Sequence, residues 1–364
     1  MSETLKDQLY SRAALEEFAA AFKAVDSDFD SEDFLRRVFD DQWESRELKQ
    51  RTHHIAQVLR AILPPEYHAA LAIMRQAAPH LRRIGFLTIT FCDYVEMYGL
   101  DDWEASIPAL EEFNRLCTSE WAVRPFILRN PQRMMAQMLE WARSEDVNSR
   151  RLASEGCRPR LPWGISLPIF KEDPTPILPI LEQLKLDESE DVRRSVANNL
   201  NDIAKDNPQV TLDVLQRWQI HHTPEMQKLT RHALRTLIKA GNPAALALLG
   251  YGVSAVTVKE LTLERNTVRL GEKLSFSFVV ESVSDAPQNL VIDYVLHFRK
   301  ANGKQSPKVF KLTKKTLQPG EKLRIQRQHR FALITTRVYY PGEQAIEIQI
   351  NGQRYEHATF VLRE

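Results

Sequence analysis

The stretch RRLASEGCRPRLPWG, residues 150–164, gathers residue types that can do chemistry: Glu155, the arginines Arg151, Arg158 and Arg160, and Trp163. A tryptophan meant for a core normally sits on a periodic element, where packing fixes the ring and its N–H finds a partner. Trp163 instead stands between Pro162 and Gly164, after a helical stretch broken by Gly156 and Pro159. Two further acids accompany it. Asp202 falls on a row with Arg194, Asn198 and Lys205 in DVRRSVANNLNDIAK, opposite an apolar row of Val192, Val196, Leu200 and Ile203. Donors that recur every helical turn suit a phosphate backbone, and the carboxylate among them is the exception. Glu120, in CTSEWAVRPF (117–126), precedes Trp121 and a basic, proline-bearing helix start. Plainer readings stand beside these: a tryptophan wedged between repeats, arginines solvating a helix end, and Asp202 paired on the surface with Asn198 or Lys205.

The elements that must position these residues are helical. From residue 4 to about 250, apolar residues recur at helical spacing, as in RTHHIAQVLRAIL (51–63), and long β-branched runs are scarce. Three helix starts look alike, at Ser144-Glu-Asp-Val147, Ser189-Glu-Asp-Val192 and Thr223-Pro-Glu-Met226. Each offers a hydroxyl N-cap followed by carboxylates in the first turn, facing the positive end of the helix dipole. A small residue recurs inside each helix, at Ala153, Ala197 and Ala233, and turn signals close the last two at Asp206-Asn-Pro208 and Gly241-Asn-Pro243. Units of about 35 to 45 residues are the size of paired-helix repeats, which stack into a solenoid with a concave surface. In that register the first helix ends early, at Gly156, so Trp163 is predicted in a loop where it and Glu155 reach the concave face.

Beyond about 255 the pattern turns to period-two runs such as KLSFSFVVES and AIEIQI, punctuated by Asn302-Gly303, Gln318-Pro-Gly320 and Asn351-Gly352. Asn-Gly between alternating strands is a hairpin signal, and about seven short strands in this length predict an immunoglobulin-like sandwich. The predicted division is a helical solenoid over 1–252 and an all-β sandwich over 253–364. Charge divides in the same way. Residues 251–364 carry 18 Lys and Arg against 11 Asp and Glu, a surplus of +7, so the rest of a chain of net charge +1 stands at −6. Lys300, Lys304, Lys308, Lys311, Lys314 and Lys315 flank one predicted hairpin, where they can track phosphates or protect an edge strand.

Other chemistry finds little support. The three cysteines, Cys92, Cys117 and Cys157, form no C-x-x-C pair, which argues against a disulfide framework and a zinc site. His53-His54 and His221-His222 are adjacent pairs that point to different sides of a helix and cannot share a metal as an i,i+4 pair can. There is no phosphate-loop, nucleophile-elbow or dinucleotide-binding signature. The start MSETLKDQ lacks a signal-peptide pattern, and the apolar run 243–258 is short and broken by glycines, so a cytoplasmic protein without a membrane span is expected.

SRRLASEGCRPRLPWG followed by VRRSVANNLNDIAKDNP resembles the HEAT-like DNA alkylation-repair glycosylases. TSEWAVRPF, with a C-terminal sandwich ending in TTRVYYPGEQAIEIQING, resembles the AlkC branch, since the sister AlkD branch lacks the sandwich. The resemblance implies a monofunctional glycosylase that removes cationic N3-methylated bases, 3-methyladenine and 3-methylcytosine, from double-stranded DNA without flipping them into a deep pocket. It implies no cofactor or metal, no obligate protein partner and a monomer. By resemblance, Trp163 approaches the lesion, Glu120 and Glu155 flank the cation and position water, and Asp202 supports them. Arg151, Arg158, Arg160, Arg194, Asn198 and Lys205 are then the DNA-contacting residues. The competing expectations are a non-catalytic HEAT scaffold that binds protein or nucleic acid, and a bifunctional glycosylase and lyase, for which residues 150–164 contain no lysine.

Overall fold

The computed structural model describes residues 5–81, 85–332 and 338–364. It divides into two compact units, 1–206 and 207–364. The first is built of helices throughout its described length. Their starts follow side-chain capping: Ser11, Asp30, Asp102 and Asn130 each accept a first-turn N–H that has no partner within the helix. The two helices that frame the candidate site, Val147–Gly156 and Glu190–Asp206, pack on each other. Ala153 and Ala197 are fully buried, as small residues at a close helix contact must be.

Capping differs from expectation at the first of the three similar starts. Asp146, not Ser144, caps Val147–Gly156 by accepting the Asn148 N–H, and Ser144 Oγ accepts the N–H of Asp146 itself. The carboxylate two residues on reaches the first turn, leaving the hydroxyl to close the preceding turn. Thr223 caps Pro224–Ala233 as expected. That helix breaks at Leu234 rather than running on, and Arg235–Ala240 resumes it.

The second unit holds eight strands among the described residues: β1 (Val256–Leu263), β2 (Thr267–Arg269), β3 (Lys273–Ser282), β4 (Gln288–Arg299), β5 (Gln305–Leu317), β6 (Lys322–Arg330), β7 (Gly342–Ile350) and β8 (Gln353–Arg363). They form two sheets, β1-β3-β6 and β2-β8-β7-β4-β5, antiparallel except for the β2–β8 pair. Alternate residues such as Phe276, Phe278, Ile292, Leu296, Ile346 and Ile348 point into one core, as in a sandwich. Asn351 and Gly352 both take positive φ in the β7–β8 turn, which the twist of a two-residue hairpin favours. The Gln318-Pro-Gly320 turn passes from β5 in one sheet to β6 in the other. The lysine-bearing β5 is an edge strand. Thr335, Thr336 and Arg337, which open the last sequence motif, lie outside the described residues.

Helix gives way to strand between Ala247 and Val256. Packing divides the chain earlier, because the last helices join the strands. Lys311 Nζ donates to the Ile238 carbonyl at 3.0 Å and to the Asp293 carboxylate at 2.8 Å, and Asn351 donates to the Gly252 carbonyl at 2.8 Å. β4 is accordingly buried on both faces over most of its length. Among the described residues, no helix is long and apolar enough to cross a membrane.

Candidate active site

The helix Val147–Gly156 ends where its chain meets another element. A Cβ on Gly156 would stand 2.7 Å from Val123 Cγ2, so only glycine allows this approach. From Cys157 onward the backbone is carried by donors from outside it. Arg124, fully buried, gives Nη1 to the carbonyls of Gly156 (2.9 Å) and Arg158 (2.8 Å) and Nε to that of Ile165 (2.5 Å). Burial pulls its pKa down to about 10, which still leaves it a cation at neutral pH. Trp121 Nε1 donates to the Pro162 carbonyl at 3.1 Å, and Lys49 Nζ to that of Trp163 at 3.5 Å.

Trp163 is in a turn, as expected, with φ at +62°. For a bulky residue that left-handed backbone costs about 1–3 kcal/mol and persists only where surroundings impose it. The donors just named supply the constraint. The indole is 63% exposed and its ring centroid lies 6.0 Å from that of Trp121, which is buried. Trp121 thus joins Trp163 to its own neighbour in sequence, Glu120.

The three carboxylates are held in one alternating row. Glu120 Oε2 accepts from Thr118 Oγ1 and from Arg151 Nη1, both at 2.9 Å. Arg151 Nη2 lies 4.0 Å from Glu155 Oε1, which accepts from Arg158 Nη1 at 2.6 Å. Arg158 Nε reaches Asp202 Oδ2 at 2.9 Å, and Lys205 Nζ reaches Asp202 Oδ1 at 2.8 Å. Ser195 Oγ donates to the other Glu155 oxygen at 2.6 Å and lies 2.7 Å from Ser154 Oγ. Acid and base alternate from Glu120 to Lys205, so the formal charges cancel along the row.

These contacts change the reading of several residues. Asp202 does pair with Lys205 along its own helix, but it is buried rather than at the surface, and Arg158 bridges it from outside that helix. Arg158 is buried too, and its Nε and Nη1 are committed to Asp202 and Glu155, which leaves it poorly placed to clamp phosphate. Burial alone would lower its pKa; the two carboxylates outweigh burial and raise it. Arg160 pairs with Asp206 at 2.6 Å, and Arg194, exposed, pairs with Asp191 at 2.7 Å, both outside the row. Asn198 is half-buried on the same helix as Arg194. Arg124, Trp121, Ser195 and Lys49 were not singled out as site residues from the sequence. The first two lie inside TSEWAVRPF and Ser195 lies inside VRRSVANNLNDIAKDNP; Lys49 carries no local signal.

Comparison with known proteins covers both units. The family model "DNA alkylation repair enzyme" matches residues 68–237, and "Uncharacterised protein YhaZ, C-terminal Ig-like domain" matches 257–364. A Bacillus subtilis (strain 168) protein, "Uncharacterized protein YhaZ", is 42% identical over 354 residues, covering 97% of this chain and 98% of that one. The structure of Pseudomonas fluorescens alkylpurine DNA glycosylase AlkC, bound to DNA containing an abasic site analog, is similar over 100% of both chains, with 37% identity and a TM-score of 0.85. The chain belongs to the DNA alkylation repair enzymes, in the branch represented by AlkC.

Proposed function

We propose that this protein is a monofunctional DNA glycosylase that hydrolyses the N-glycosidic bond of cationic N3-alkylated bases, 3-methyladenine and 3-methylcytosine, in double-stranded DNA. It acts as a monomer, without a cofactor and without drawing the base into a deep pocket. The observation that carries the reading is an exposed tryptophan held, through Trp121, beside a row of three carboxylates in a chain similar to AlkC from end to end. N3-methylation places a positive charge on the base, which weakens the glycosidic bond and removes the need for a strong general acid. The bond breaks with its electron pair leaving on the base, now neutral, and the cation that forms is an oxocarbenium-like sugar. Carboxylates in a partly dehydrated site stabilise that sugar, and the Trp163 face attracts the cationic base. Water then adds to C1′ and gives up its proton to the carboxylate that orients it, which passes the proton to solvent. Glu120 is our choice to orient this water, because its side chain is 13% exposed whereas those of Glu155 and Asp202 are 7% and 1% exposed. Arg158 then positions Glu155 and Asp202, and Arg151, Arg160, Arg194, Asn198 and Lys205 remain the candidate DNA contacts.

Methylated DNA treated with the purified protein should release 3-methyladenine or 3-methylcytosine whether or not a chelator is present. The strand should stay uncut until alkali is added. Glu120→Gln and Glu155→Gln should each slow single-turnover excision by roughly a hundredfold or more, the effect of about 2–4 kcal/mol of lost transition-state stabilisation, with DNA affinity level or higher. Binding without release of any base would favour a scaffold. Normal excision by both glutamate variants would refute the carboxylate mechanism. The fold also brings Lys49 to Trp163 from outside residues 150–164, so borohydride trapping is the check on the lyase alternative. A covalent adduct would refute the monofunctional reading.

A further inference from the structure

The carbonyls of Pro162, Trp163 and Ile165 are each taken by a donor from outside the turn. Trp121 and Arg124, which hold the outer two, are buried. Lys49, which holds the middle one, is half-buried and comes from the helix Leu48–Ile62, 114 residues away in sequence. Its ammonium also stands 4.6 Å from the centroid of the Trp121 ring, so one charge touches both tryptophans, a carbonyl on one and a π face on the other.

The same ammonium sits in the field of an acid cluster that the glycosylase reading does not use. One helical turn on from Lys49, His53 Nδ1 lies 3.3 Å from Asp93 Oδ2, and Glu96 follows Asp93 by three residues on the helix Ile89–Tyr98. Asp93 Oδ2 and Glu96 Oε2 are buried without a hydrogen-bond partner among the described residues. Burial raises the pKa of both carboxyls, and the Lys49 charge opposes it in both; burial and then the same charge lower the pKa of His53.

We propose that Lys49 is a positioning residue for Trp163: its ammonium, seated against the Trp121 face and bonded to the Trp163 carbonyl, latches the left-handed turn and sets the angle at which the indole meets the damaged nucleotide. The second half of this statement rests on the glycosylase reading; the latch itself does not. Two readouts separate them. In the free protein, the part of the acrylamide-quenchable tryptophan emission that Trp163→Phe abolishes should become more quenchable in Lys49→Met and return towards wild type in Lys49→Arg. With DNA bound at saturation, Lys49→Met should slow single-turnover excision about tenfold, the equivalent of about 1.4 kcal/mol or one charge-assisted hydrogen bond, and Lys49→Arg should recover most of it. The salt dependence of binding to undamaged DNA should stay as in wild type. Unchanged quenching in Lys49→Met overturns the latch whether or not the protein excises bases. A salt slope shallower by about 0.9 with normal excision at saturation overturns it in favour of a phosphate contact.

Discussion

Replacing Arg158 with methionine distinguishes a buried counter-ion from a phosphate clamp. A phosphate-clamping arginine is solvent-facing, and its loss weakens binding to any DNA while leaving the fold alone. Arg158 is only 6% exposed, and its Nε and Nη1 contact Asp202 at 2.9 Å and Glu155 at 2.6 Å. Without it, Glu155 keeps the Ser195 hydroxyl and an arginine 4.0 Å away, and Asp202 keeps Lys205. Removing one partner from a buried ion pair typically destabilises by about 3–5 kcal/mol, because the remaining charge stays buried. In a unit of this size each 1 kcal/mol moves the melting temperature by about 2–4 °C, so Arg158→Met should melt on the order of 10 °C lower. Binding to undamaged duplex, titrated from low to high salt, should keep its slope. Adding Glu155→Gln and Asp202→Asn should recover part of the lost stability, since the uncompensated charges go with the carboxylates. An unchanged melting temperature with a slope shallower by about 0.9 would refute this account and restore the phosphate clamp.

Two further measurements reach other parts of the molecule. Burial, reinforced by the like charge of Glu96 and opposed by Lys49, pushes the Asp93 carboxyl up to about 7 from 3.8. A carboxyl raised on folding stabilises the native state fully below its unfolded pKa, and that contribution is lost as pH rises through about 7. Asp93→Asn should therefore gain on wild type between about pH 5 and pH 8, by at most about 3 kcal/mol, in melts run at both values; a constant difference would refute the assignment. Lys314 and Lys315 are exposed on the edge strand β5, in the basic C-terminal part of the chain. If the sandwich grips DNA backbone, Lys314→Ala with Lys315→Ala should make the salt slope of binding shallower by about 1.8, and an unchanged slope would leave these lysines as guards of a sheet edge.

Local rules carried much of the fold. The three aligned alanines are all fully buried, the first helix does stop at Gly156, and Asn302-Gly303 and Asn351-Gly352 are hairpin turns. Each of these depends on residues a few positions apart. The contacts that spacing could not supply join distant parts of the chain. Arg158 and Asp202 are 44 residues apart, Arg151 and Glu120 31, and Lys49 and Trp163 114. Whether an arginine is a phosphate donor or a buried counter-ion depends on what packs over it, and sequence period does not record that. The last helices show the same limit. Ile238 and Gly252 read as the end of a helical run, yet their carbonyls accept from Lys311 and Asn351 of the sandwich.

The backbone of Trp163 has a consequence for anyone engineering this protein. Its left-handed φ suits glycine or asparagine, and most of the indole is in water, so exchanging it for either would relax a strained turn and give up little buried surface. A screen that ranks variants by melting temperature would therefore be drawn to position 163 and would keep the ones that had lost the ring. Heat tolerance and repair would be selected in opposite directions at a single residue, and a thermostable derivative should be assayed for base release before its stability is taken as an improvement.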